Sequence, residues 1–155
     1  MEIEFNRKLI SKYPWLSLER EWFWEDGGYY KNLEEDYKYT WLDYIPDGWR
    51  LVFADELCER IQKDLEEHNF ENQFAITDIK EKWGQLDIST SPIKRESKLY
   101  EILSEYHDKS KNICINCGKP VEWVTKGWIT YICDDCYKEC INNGANEEQF
   151  EHIHK

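Results

Sequence analysis

The chain has 155 residues, with 20 Lys+Arg set against 32 Asp+Glu, for a net charge of −12. That length supports one compact domain with a small appended module, or two lobes sharing a core, and that charge argues against duplex DNA or RNA as a partner, whose affinity comes largely from Lys and Arg at phosphates. Trp, Tyr and Phe make up 15% of the residues and eight of them are Trp, too many large rings for a disordered chain.

In chain order, residues 3–12 predict a short helix, with Ile3, Phe5, Leu9 and Ile10 apolar and Pro14 beyond its end. Residues 13–49 hold no long periodic element. They carry Trp15, Trp22, Phe23, Trp24, Tyr29, Tyr30, Tyr37, Tyr39, Trp41, Tyr44 and Trp49, with turns at Asp26-Gly27-Gly28 and Pro46-Asp47-Gly48. Residues 50–69 give the strongest helix. Phe53, Leu57, Ile61 and Leu65 recur every fourth position, on one face of a 3.6-residue period.

Residues 73–80 and 85–90 alternate as two strands, and Glu81-Lys82-Trp83-Gly84 supplies the turn of an antiparallel hairpin. Ser91-Pro92 reads as the N-cap and first turn of a second helix over 92–109, with Ile93, Leu99, Ile102, Leu103 and Tyr106 on its apolar face. The expected core is Phe53, Leu57, Ile61, Leu86, Ile88, Leu99 and Leu103.

Two cysteine pairs follow, Cys114-Ile-Asn-Cys117 and Cys133-Asp-Asp-Cys136. Two residues between paired thiolates let one tight turn aim both sulfurs at a single ion, so Cys114, Cys117, Cys133 and Cys136 are read as the ligands of one structural Zn²⁺. Gly118 follows the first pair, where a knuckle calls for positive φ. Val121–Val124 and Trp128–Ile132 flank Thr125-Lys126-Gly127 as a hairpin between the knuckles. Knuckle, hairpin, knuckle is the layout of a zinc ribbon.

A disulfide framework is the competing reading of six Cys. It is disfavoured because Met1-Glu2-Ile3-Glu4-Phe5 is acidic and has no apolar leader segment; with no membrane-spanning stretch either, a cytoplasmic setting is expected. Cys58 falls inside the 50–69 helix as a small buried hydrophobe, and Cys140 lies four residues past Cys136, outside the two pairs. A short helix to Cys140 or Ile141 should end at Asn143-Gly144. The chain thus divides into an α+β body over 1–111, a ribbon over 112–145 and a frayed tail over 146–155. In the body, two helices lie on an antiparallel hairpin with the aromatic segment wrapped against them.

Trp41-Leu42-Asp43-Tyr44-Ile45-Pro46-Asp47-Gly48-Trp49-Arg50 and Ile79-Lys80-Glu81-Lys82-Trp83-Gly84-Gln85-Leu86 resemble two motifs of a family of small bacterial and phage proteins. Members pair a PDGW-type turn before a helix with an IKEKxGxL-type hairpin and finish in a CxxCG…CxxC zinc ribbon. Ser110, Cys114, Cys117, Gly118, Gly127, Trp128, Cys133 and Cys136 match that ending. The resemblance covers residues 41–136 and implies an architecture rather than an activity, with Gly48 and Gly84 in turns and Trp49 and Trp83 as core anchors. The charged run Lys80-Glu81-Lys82 at the hairpin tip is a candidate contact surface.

No catalytic constellation is present: the sequence has no GxxxxGK[ST], GxGxxG or HExxH, and no His beside Cys58 to activate it. His68 and His107 fall at helix C-termini, where the macrodipole favours them, and His152-Ile153-His154 offers a weak metal-binding tail. The expectation is therefore a non-enzymatic, acidic zinc-ribbon protein that binds a basic protein, as an inhibitor, immunity or anti-defence factor would. The alternative is a zinc-ribbon adaptor of transcription or replication machinery.

Overall fold

The computed structural model describes residues 3–33 and 38–153. Tyr37 of the aromatic segment and His154 of the tail lie outside them. Among these residues the architecture mixes helices with three small antiparallel sheets. It contains, among the described residues, helices α1 (Ile3–Lys12), α2 (Asp47–Glu67), α3 (Leu99–Ser110) and α4 (Asp134–Asn142). Strand β1 (Arg20–Phe23) pairs with β2 (Tyr29–Asn32), and β3 (Ile76–Lys82) with β4 (Gln85–Thr90). The third sheet has the order β6 (Tyr131–Ile132), β5 (Trp123–Thr125), β7 (Phe150–His152).

Helix α2 forms where its period requires, and Phe53, Leu57, Ile61 and Leu65 are all buried. It begins three residues earlier than the periodicity indicates, at Asp47. Pro46 precedes it, the Asp47 carboxylate favours the N-terminal dipole, and Arg50 closes an ion pair to Asp47 at 2.6 Å. Asp64, buried on the same helix, accepts from Ser97 Oγ at 2.6 Å and from the Lys98 amide at 3.0 Å.

That contact corrects the expected start of the second helix. Helix α3 begins at Leu99: its first amide donates to Ser97 Oγ at 3.0 Å, and Asp64, from across space, holds Ser97 Oγ and the Lys98 amide, so Ser91 takes no part. Ser91 is committed elsewhere: its Oγ accepts from the Ala75 amide at 3.0 Å, and its own amide donates to the Ala75 carbonyl at 2.8 Å.

The packing of helices on the hairpin is also corrected. Helix α3 lies along β4, α2 packs on α3, and β3 faces the 3₁₀ turn Trp41–Tyr44. One apolar cluster joins α1, α2, the β3–β4 hairpin and α3. Of the expected core, Ile88 and Leu103 are only partly buried. Within α1, Ile10 is buried but Phe5 faces solvent, and Asn6 points inward with Nδ2 donating to the Lys38 carbonyl at 2.6 Å.

In the 13–49 segment the regular elements are short, as the absence of a long period there implied. Asp26-Gly27-Gly28 joins β1 to β2, and Arg20 ties that hairpin to the body by donating to the carbonyls of Glu71 (2.7 Å) and Phe74 (2.9 Å). The frayed-tail expectation is overturned too: β7 pairs with β5, Trp123 opposite His152 and Thr125 opposite Phe150. One edge of β5 pairs with β6, and the backbone groups of its other edge are satisfied by β7, a strand from beyond α4.

Candidate metal centre

The first cysteine pair sits on a tight knuckle. The Gly118 amide donates to the Cys114 carbonyl at 3.0 Å and the Cys114 amide to the Lys119 carbonyl at 2.7 Å. Gly118 has φ +85°, as its place in the knuckle requires. The second pair stands at the head of α4, where Cys133 is the N-cap and its Sγ accepts from the Cys136 amide at 3.4 Å.

The two turns converge. The sulfurs of Cys114, Cys117, Cys133 and Cys136 all lie within 4.8 Å of one another. Cys117 and Cys133 are 3.5 Å apart, and Cys117 and Cys136 3.7 Å. Four thiolates at about 2.3 Å from a tetrahedral ion stand about 3.8 Å apart, so the set already has the size such an ion needs. Soft thiolate donors select a soft cation, and four of them close its coordination sphere, leaving no position for a reacting water.

Backbone amides prepare part of this site for charge. Burial opposes ionisation of Cys114, but amides of Cys133, Cys117 and Asn116 directed at its sulfur outweigh that and bring the thiol down to about 7. Burial pushes the thiols of Cys133 and Cys136 up. A cation at the centre supplies the opposing term, and its binding releases protons.

The ribbon has its own small core. Trp123 stacks on Tyr137 at 3.8 Å, His152 meets Trp123 edge-on at 4.8 Å, and Phe150 meets Tyr137 at 5.2 Å. Trp123 Nε1 donates to Asp134 Oδ1 at 3.1 Å, orienting the start of α4. Lys119 pairs with Asp135 at 2.5 Å and Lys138 with Asp134 at 2.6 Å.

The other singled-out residues stand apart from this centre. Cys140 packs against the ribbon cluster but is not one of the four grouped sulfurs. Cys58 is buried in α2. His68 caps α2, and His107 Nδ1 donates to the Leu86 carbonyl at 2.8 Å. At the hairpin tip, Lys80 pairs with Asp78 at 3.1 Å, and Glu81 Oε1 accepts from the Gly84 amide at 2.5 Å.

Trp49 is a core anchor, fully buried, but Trp83 is not: it is 69% exposed. Trp83 occupies the first position of a two-residue turn with φ +54°, followed by Gly84 at +79°. A side chain at the tip of so short a loop has no hairpin body to pack on, and that was the available signal. Trp128, at the tip of the ribbon hairpin, is 79% exposed. The tip of the β3–β4 hairpin packs against the ribbon hairpin: a Cβ on Gly84 would come within 2.6 Å of the Tyr131 ring and 3.2 Å of Ile129. Trp83, Trp128, Ile129, Glu81 and Lys82 line one cleft of about 130 Å³.

Among the described residues no helix is long and apolar enough to cross a membrane. Comparison of the chain with family models, with curated proteins and with solved structures returned no match.

Proposed function

We propose that the protein acts by binding another protein, a basic one, and that Cys114, Cys117, Cys133 and Cys136 hold a structural Zn²⁺ that fixes the ribbon against the body. The cleft between Trp83 and Trp128 carries this reading. Two exposed indoles flank it, the Glu81 carboxylate lines it, and the chain bears a charge of −12. Arg and Lys side chains are attracted to indole faces by about 0.5–1 kcal/mol at exposed sites. An acidic chain also steers a basic partner and raises its on-rate.

The conformation of Trp83 supports the same reading. A bulky residue at positive φ costs on the order of 1–3 kcal/mol and persists where something else requires it. Packing does not require it here, because the ring is exposed. A closed thiolate site matches a scaffold role for the metal, and the reading is of an inhibitor, immunity or anti-defence factor, not an enzyme.

The test is recovery of a partner on the immobilised, metal-loaded full chain, followed by direct binding at low and high salt. The partner should be basic, held less well as salt rises, and weakened by Trp83→Ala with Trp128→Ala. A nucleic-acid mobility shift run alongside decides the rival. Tight binding of DNA or RNA at physiological salt would replace this reading with a zinc-ribbon adaptor of transcription or replication.

A further inference from the structure

A second surface, away from the indole cleft, has features of its own. Among the described residues strand β4 has one neighbour in its sheet, β3. The two-residue turn makes Lys82 and Gln85 the closing pair, so Gln85, Asp87 and Ser89 direct their backbone groups at β3. Leu86, Ile88 and Thr90 direct theirs to the other side.

At Leu86 that outer edge is filled by α3. The Leu86 amide donates to Ser110 Oγ at 2.9 Å, and His107 Nδ1 donates to the Leu86 carbonyl at 2.8 Å. At Ile88 and Thr90 no residue among those described takes the outward amide. Side chains of α3 therefore stand in for a third strand at one end of β4 and leave the rest of its edge open.

The open edge faces a groove of about 790 Å³ between β4 and α3. Leu86, Ile88, Ile93, Tyr100, Leu103 and His107 form much of its wall. Ile88 and Leu103 are the two expected core residues that are only partly buried. Asp87 also lines the groove. Its cross-strand neighbour Lys80 gives its ammonium to Asp78, and the Asp87 carboxylate has no ion pair among the described residues.

We propose that this groove takes an extended peptide segment of a partner protein, which pairs its backbone with the outward amides and carbonyls of Ile88 and Thr90. The segment sets an apolar side chain against Ile88 and Leu103 and a Lys or Arg beside Asp87. Three features select this occupant. Unpaired strand-edge groups call for another backbone. The apolar wall gives alternate side chains of a strand something to bury. The uncompensated carboxylate calls for a cation. A second copy of the chain meets the first two requirements but brings a further −12 of charge.

The experiment selects a displayed library of random linear peptides on the metal-loaded full chain, then maps the binders by amide hydrogen exchange. The expected peptides alternate apolar and polar residues, carry Lys or Arg, and slow exchange at Ile88 and Thr90. Thr90→Pro removes one outward amide without touching the β3 pairing. It should weaken binding about three- to tenfold, the scale of one hydrogen bond, with cross-strand amide protection in the hairpin retained. Asp87→Lys tests the charge without altering the backbone, and should switch the selected peptides from Lys or Arg to Asp or Glu. Failure to enrich any peptide, or binders that protect amides elsewhere, would overturn the proposal. So would an unchanged charge preference in Asp87→Lys, or protection of Ile88 that arises from self-association of the chain and vanishes on dilution.

Discussion

The amide of Gly48 donates to the carbonyl of Ile115 at 2.9 Å, joining the first turn of α2 to the loop between two metal-site cysteines. The approach is as close as backbone allows. A Cβ on Gly48 would lie 2.0 Å from the Cys114 carbonyl oxygen and 2.8 Å from the Gly118 nitrogen. Gly48 is thus needed for space rather than for its dihedral angles. Gly48→Ala should cost at the upper end of the about 1–3 kcal/mol of an overpacked site, because the obstruction is backbone. Chemical denaturation should register the loss, and competition with a chelator should register weaker metal retention; an alanine variant equal to the parent in both would show that the contact is slack.

Removing one ligand tests the centre itself. Cys117 is the exposed member of the four, and the other three are buried. Cys117→Ser leaves three thiolates in place, so the effect on metal should exceed any effect of lost packing. The parent chain should carry one Zn²⁺ per molecule, and the variant far less. Metal analysis of protein purified without chelator decides, and a full complement in the variant would remove Cys117 from the ligand set.

Two buried groups set the alkaline limit of the fold. Burial pushes the Cys58 thiol from an ordinary 9.0 up to about 12. Burial, with the hydrogen bond to Glu56, raises the Tyr106 hydroxyl from 10.0 to about 12. Between about pH 9 and pH 12 the unfolded chain gives up these protons while the folded chain keeps them, so stability is complete below pH 9 and falls as pH rises through that window. Denaturation midpoints measured across it should decline. Cys58→Ala should flatten the lower part of the slope, and Cys58 in the folded parent should resist thiol reagents at neutral pH.

Trp83 offers a trade between stability and binding. Its turn has positive φ at both central residues, a geometry that favours Asn followed by Gly. Trp83→Asn should therefore raise stability, by somewhat under about 1–2 kcal/mol, the cost of the left-handed region for an ordinary residue. The same change should weaken partner binding. A variant that is both more stable and fully competent to bind would separate the indole from the function.

Local signals carried much of the architecture. Four-residue spacing located α2, paired cysteines located the four-sulfur cluster, and Glu81-Lys82-Trp83-Gly84 located the turn of the β3–β4 hairpin, which narrows to Trp83-Gly84 because Glu81 and Lys82 still pair with β4. What escaped the sequence depends on partners distant along the chain. The start of α3 is set by Asp64, thirty-four positions before the Lys98 amide that it accepts. Strand β7 is three residues long and exists because β5 offers an edge. The clefts at Trp83–Trp128 and at β4–α3 are each assembled from separate elements, and no periodicity encodes which elements will meet.

The first knuckle is pinned to α2 at three points: Gly48 to Ile115, Trp49 Nε1 to the Ile113 carbonyl at 3.2 Å, and Gly118 against Val52. With the proposed ion bound, a ligand loop so firmly attached makes the body of the protein sensitive to the chemical potential of that ion. Above the dissociation constant, each tenfold rise in free metal adds about 1.4 kcal/mol to the folded state, and the pinned helix shares in it. The melting temperature of this chain is then a property of the metal buffer as much as of the hydrophobic core, and two preparations with identical sequence but different metal histories would melt apart.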